Sequence, residues 1–202
     1  MQMQEISQHI QLKPLLKPQL SMRIVGTAPL ICSRKPDLID NPDPGSKEDI
    51  AMFHKAYYLI PNLNEHKIYG FPATGVKKSM VEACRLVGNH KMTVVRPSVF
   101  VEADNLQGYL RLLHPNGGEL EPTMFRDTTR NARGQIVTQI GAMFEEWQID
   151  FLVSYWDKTI SSKAVTVLLQ HAGELIGLGM NRKGKGLFAY GTFRIAEAGE
   201  LA

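Results

Sequence analysis

The order of elements legible in this chain predicts an α+β fold on the split βαβ, or ferredoxin-like, plan: strand, helix, strand, then strand, helix, strand, with an insertion between the halves. Three observations carry that expectation. Residues 146–156 place Trp147, Ile149, Phe151, Val153 and Tyr155 on one parity, the period of a strand with one apolar face. Two stretches, beginning near Thr74 and Ser162, carry apolar residues at helical spacing and end on glycine. Short runs rich in branched residues flank them. Such a plan gives an RNA-recognition-motif-like core, an antiparallel sheet with helices on one face and the other face free, so the free face or its rim is the place to look for function. One domain is expected over 21–197, preceded by an arm at 1–20 and interrupted by an insertion at about 105–135.

Taken in order, residues 1–20 are polar, contain two prolines and show no sustained period, so they form an arm ordered only where it packs on something. Residues 22–32 are the first strand, with Pro29 marking an edge or a bulge at its far end. Pro36, Pro42, Pro44 and Gly45 make 33–45 a turn-rich loop, and 47–58 follows as a short helix. Thr74 is placed as the N-cap of a helix reaching about Val87, with Val76, Met80, Ala83 and Cys84 on its inner face and Gly88 ending it. Residues 93–101 are expected as a strand. Ser162 caps a second helix whose inner face is Val165, Leu168, Leu169, Ala172 and Ile176, stopped by Gly177, and 188–195 supplies the last strand.

At 202 residues, with 44% hydrophobic and 21% charged side chains, the composition is that of an ordinary globular domain. No apolar run approaches the roughly 20 residues that span a bilayer, and the N-terminus lacks a secretory signal, so no membrane and a cytoplasmic location are expected. Cys32 and Cys84 have no metal-site spacing and are expected as reduced core thiols. A formal charge of +3 barely favours a polyanionic partner, so clustering of charge has to decide.

The most informative cluster is 177–191, where five glycines and the cations Arg182, Lys183 and Lys185 lie between a helix and a strand. Glycines such as Gly179, Gly184 and Gly186 let backbone N–H groups approach a phosphate while the cations pair with it. A flexible hinge with solvated lysines has the same composition. The Gly-x-x-x-x-Gly-Lys-Ser/Thr pattern of a nucleotide-binding loop is absent. Lys77 and Lys78 sit in the first turn of the helix beginning at Thr74, where the positive end of the dipole disfavours them unless an anion is near. Both side chains extending into water is the plainer alternative. Arg126, Arg130 and Arg133 are spaced for one helical face, with Arg96 and Arg111 before them, and Phe125 and Tyr109 are available to stack on bases or to anchor a loop. The histidines have no metal spacing, no hydrolase motif is present, and neither cofactor nor metal is expected. Asp37, Asp40 and Asp43 keep an enzyme open, because clustered carboxylates beside a phosphate-binding surface can hold magnesium for phosphodiester cleavage, although such Asp/Pro runs are usually turns.

Three of these stretches together resemble the repeat-associated superfamily that supplies the backbone subunits of CRISPR surveillance complexes. Ile24-Val25-Gly26-Thr27-Ala28-Pro29-Leu30 is similar to that family's opening strand ending in Pro-Leu. Tyr69-Gly70-Phe71-Pro72-Ala73-Thr74-Gly75-Val76-Lys77 resembles its Ile-Pro-Gly-Ser-Ser-Leu-Lys-Gly helix start, without the usual Gly at position 73 and Ser at position 75. Ile176-Gly177-Leu178-Gly179, followed by the basic residues and Gly184, Gly186 and Gly191, resembles its glycine-rich loop. The layout is also similar to that of small bacteriophage proteins. The resemblance implies an RNA-recognition-like core, binding of a guide or other single strand through the helix start and the glycine loop, and head-to-tail assembly.

Sequence and resemblance together lead to a non-catalytic, phage-encoded protein that holds single-stranded DNA or RNA as a homo-oligomer. Lys77, Lys78, Arg126, Arg130, Arg133, Arg182, Lys183 and Lys185 would neutralise phosphates. Two alternatives stand beside it: a metal-dependent endoribonuclease using Asp37, Asp40 and Asp43, and a phage protein whose partner is a host defence complex.

Overall fold

The computed structural model describes residues 17–34, 46–61, 66–87, 91–130, 133–185 and 188–197. Asp37, Asp40 and Asp43, most of the N-terminal arm, Gly88 and Gly186 lie outside the described residues.

The expected first strand is two strands in two sheets. Strand β1 (Gln19–Gly26) ends where the chain turns at Pro29 into β2 (Leu30–Cys32). The carbonyls at this corner are satisfied from elsewhere: Ala28 accepts from the Trp147 indole at 2.9 Å and Pro29 from the Gly191 N–H at 2.8 Å. Helix α1 (Lys47–Ala56) begins at Ser46, whose hydroxyl accepts from the Asp49 N–H, and leads through β3 (Tyr58–Ile60) and β4 (Ile68–Pro72) into α2 (Ala73–Val87). Thr74 is therefore inside the first helical turn and is not a cap.

A second correction concerns 93–101. Helix α3 (Met92–Ser98) occupies most of it, and only β5 (Val99–Glu102) is extended. Val95 and Ser98, three apart, are its buried residues and lie on one helical face, so packing against α2 overrides the β-propensity of Thr93, Val94 and Val95. Extended structure sets in where β9 offers an edge to pair with. The insertion is also more regular than its polarity suggests: β6 (Tyr109–Leu113) precedes a hairpin of β7 (Thr123–Arg130) and β8 (Ile136–Phe144). Strand β9 (Gln148–Tyr155), helix α4 (Ser162–His171), a π-helical turn (Ala172–Ile176) and β10 (Phe193–Ile195) complete the chain. The cap of α4 is Ser161, one residue before the one expected, and accepts from the Ala164 N–H at 3.2 Å.

In the larger sheet the order is β10–β1–β9, every pairing antiparallel, and the far edge of β9 is shared. Residues 152–155 pair with β5, while 148–149 pair with β6, from which β4 and β3 continue. Strands β2, β8 and β7 make the second sheet. These antiparallel sheets and four α-helices are compatible with a ferredoxin-like core. Met22, Ile24, Ile149, Phe151 and Val153 line the buried face of the β1–β9 pair, where α2 and α4 contribute Val76, Met80, Val165 and Leu169. On the opposite face Arg23 grips Asp150 through Nε at 2.6 Å and Nη2 at 2.9 Å, and Leu152 is exposed. The alternation in 146–156 thus produces the one-sided sheet it predicts. Among the described residues no helix is long and apolar enough to cross a membrane.

Candidate nucleic-acid interface

Strand β4 runs straight into α2, and the Ala73 N–H donates to Gly108 at 3.0 Å. A Cβ on Gly75 would stand 2.7 Å from the Phe71 ring, so glycine is what lets the start of the helix lie on that aromatic side chain. One turn later Ser79 is buried and donates to the carbonyl of Gly177 at 3.0 Å, tying α2 to the beginning of the glycine-rich loop.

That loop is a backbone seam. The Leu178 N–H donates to Gly191 at 2.9 Å and the Met180 N–H to Ile31 at 2.8 Å, closing the loop on its own return and on β2. A Cβ would lie 2.3 Å from the Ile31 carbonyl oxygen at Gly179 and 1.9 Å from that of Leu178 at Gly191, and both have positive φ, so glycine is required sterically and conformationally. The Gly184 N–H is spent on Ile176 at 2.9 Å. Beyond the seam, Arg182 reaches back to α2 and donates to Glu82 at 3.0 Å, while Lys183 and Lys185 are exposed.

Between α2, α3 and this loop lies a cleft of about 690 Å³ lined by six cations: Lys77, Lys78 and Arg85 from α2, Arg96 from α3, and Arg182 and Lys185 from the loop. Glu82 is the one acid lining it. Of the six, Arg182 alone has a carboxylate partner among the described residues. Burial, and then the Arg96 charge, hold the Lys77 ammonium below the usual lysine value, and its Nζ stands 4.6 Å from the centre of the Phe100 ring. A second cleft, of about 540 Å³, adjoins the first and shares Thr74, Lys78 and Arg182 with it.

The arginines expected on one helical face are elsewhere. Arg126 and Arg130 are on β7, and Arg133 is exposed in the turn to β8. Arg126 pairs at 3.2 Å with Asp49, which is fully buried, and Arg130 donates to the Gly134 carbonyl at 2.9 Å. None of the three lines either cleft. Phe125, on the opposite parity of β7, meets Tyr190 of the glycine-rich loop at 5.7 Å, and Tyr109 at the start of β6 meets Tyr58 at the start of β3 at 5.1 Å, so both rings pack within the fold. Cys32 and Cys84 are free and buried; burial pushes the Cys32 thiol up to about 12. Among the described residues no group of three or more His, Cys, Asp or Glu could hold a metal ion.

Sequence reasoning passed over Arg85, although its position seven residues after Lys78 puts the two on one face of α2. It assigned Arg96 to the insertion, and had no means of linking Ser33, just after β2, Tyr58 on β3 and Gln139 on β8 to the second cleft.

No protein-family model matches the chain, and no curated protein does. Among solved structures it is similar to Cmr6 from Pyrococcus furiosus, at 9% identity over 90% of this chain and 98% of that one, with a TM-score of 0.43. At that score the likeness carries no weight of its own, and the interface rests on the chain's own residues.

Proposed function

We propose that this chain binds the phosphate backbone of a single-stranded nucleic acid along the cleft between α2, α3 and the glycine-rich loop. The observation behind it is the convergence of six cations from three separate segments on one cleft with a single acid. Each charge raises the electrostatic cost of the others, and a chain of phosphates offsets that cost with a matching row of negative charge. Lys77 and Lys78, in the second turn of α2 rather than the first, still stand near the positive end of its dipole, which an anion lying there relieves. Lys183 extends the same charge along the loop. The backbone is gripped without a base-reading code, so affinity is largely independent of sequence. Assembly of copies along the strand and a phage source, which rest on the family resemblance, and a non-catalytic role in the cytoplasm, which rests on the sequence reading, complete the proposal.

Fluorescence anisotropy with labelled single-stranded DNA, single-stranded RNA and duplex DNA across a salt series tests it, with light scattering to follow mass. The expected result is single-strand binding that weakens steeply with salt, and weakens further when Lys78, Arg96 and Lys185 are changed to alanine. Affinity indifferent to salt, or to those three substitutions, would sink the proposal. Absence of binding to all three polymers would turn attention to a protein partner.

A further inference from the structure

The smaller cleft differs from the basic one in its walls. Phe71 and Tyr58 bring aromatic rings, Leu178 and Met180 are apolar, and Gln139 brings a carboxamide from β8. Two buried polar atoms at its lining, Ser33 Oγ and Arg182 Nε, have no hydrogen-bond partner among the described residues. A buried donor left unmade costs about 1–3 kcal/mol, so two of them lining one cavity point to a ligand that completes them. At about 540 Å³ the cavity is within the range of small-molecule sites, and an apolar wall with a few convergent polar groups is their usual construction.

We infer that this cavity is a nucleotide pocket: it takes one base of the bound strand out of the stack, between the Tyr58 and Phe71 side and the Leu178–Met180 side, with Gln139 and Ser33 on the base's polar edge. Lys78 and Arg182, which line both clefts, hold the phosphate of that nucleotide where the cavities meet. The geometry explains why a carboxamide from the second sheet and a hydroxyl from the residue just after β2 lie next to cations from α2 and the loop. The path of the strand on either side rests on the backbone-binding reading above, but occupation of the pocket by a free nucleotide does not.

The test is a titration of the full chain with nucleoside 5′-monophosphates, ribose 5-phosphate and inorganic phosphate, followed by calorimetry and by amide chemical shifts on the wild-type protein. A short labelled oligonucleotide is titrated in parallel. The nucleotides are expected to bind at least tenfold more tightly than ribose 5-phosphate and to shift Ser33, Gln139 and Met180. Gln139→Leu and Ser33→Ala are each expected to weaken the nucleotide severalfold while leaving the salt dependence of strand binding unchanged. Equal affinity for ribose 5-phosphate overturns the pocket, because the base is then unread. Strand binding without nucleotide binding also overturns it and leaves the backbone reading standing. Nucleotide binding without strand binding does the reverse. Because the shift map needs no variant, the outcome does not depend on the substituted proteins folding.

Discussion

Two regions of this molecule gather cations, three arginines in the β7–β8 hairpin and six arginines and lysines around the cleft, and use them in opposite ways. In the β7–β8 hairpin each described contact is internal: Arg126 neutralises the buried Asp49, and Arg130 closes the turn onto Gly134. At the junction of α2, α3 and the glycine loop, six cations line one cleft and a single described carboxylate answers them. What separates the two is the origin of the neighbours. Hairpin cations meet partners supplied by the fold, whereas cleft cations come from three segments that bring mostly like charge. A basic stretch in sequence says nothing about which of these will happen.

The contrast breaks most visibly at Arg126. Arg126→Ala leaves Asp49 buried without this partner, and the expected loss is about 3 kcal/mol, read as a fall in Tm of roughly 10 °C, with strand affinity at low temperature unchanged. A stable variant with weakened binding would erase the distinction between the regions. Gly191→Ala is expected to act through the seam: the new methyl would meet the Leu178 carbonyl at a positive φ, at a cost of about 2–3 kcal/mol, measured by denaturant unfolding. In the cleft, replacing Lys78, Arg96 and Lys185 together by alanine should lower single-strand affinity by about 10–100-fold and cut the slope of log K against log salt by about 2, with Tm little altered. Arg130→Ala is the control from the hairpin, and its effect on strand affinity is expected to stay below about twofold.

The smallest effect concerns pH. The folded state holds Lys77 below its usual value through burial and the Arg96 charge, so Lys77 loses its proton before an unperturbed lysine does. For folding the sign is that of a charged form made unfavourable: the destabilisation is present at low pH and relieved as pH rises through the depressed value. For binding the sign is opposite. A phosphate nearby favours the protonated lysine, so affinity is expected to fall as pH rises through that range, and Lys77→Arg should flatten the profile. An unaltered profile in the arginine variant would remove Lys77 from the interface.

Much of the scaffold could be read in advance because it depends on local periodicity. The alternation of Trp147, Ile149, Phe151, Val153 and Tyr155, and the helical spacing of Val165, Leu168 and Leu169, each require only that one side of an element be dry. Residues 93–101 resisted for the converse reason: their branched side chains favour a strand in isolation, and the face that Val95 and Ser98 present to α2 decides otherwise. The spacing of Arg126, Arg130 and Arg133 suits a helix, but a strand also places residues 126 and 130 on one face, so spacing could not choose between them.

What the sequence by itself determined is therefore the α/β composition, the apolar faces of α2, α4 and β9, and the existence of a glycine-rich basic segment after α4. Only the tertiary structure decided that three of its glycines, Gly177, Gly179 and Gly191, adopt positive φ in a backbone seam, that Arg126 is consumed by Asp49, and that Arg85 and Arg96 join Lys78 and Lys185. Burial periodicity is a property of one element and its solvent. Where a charge ends up depends on which distant segments stand beside it, and that information exists only once the sheets have closed.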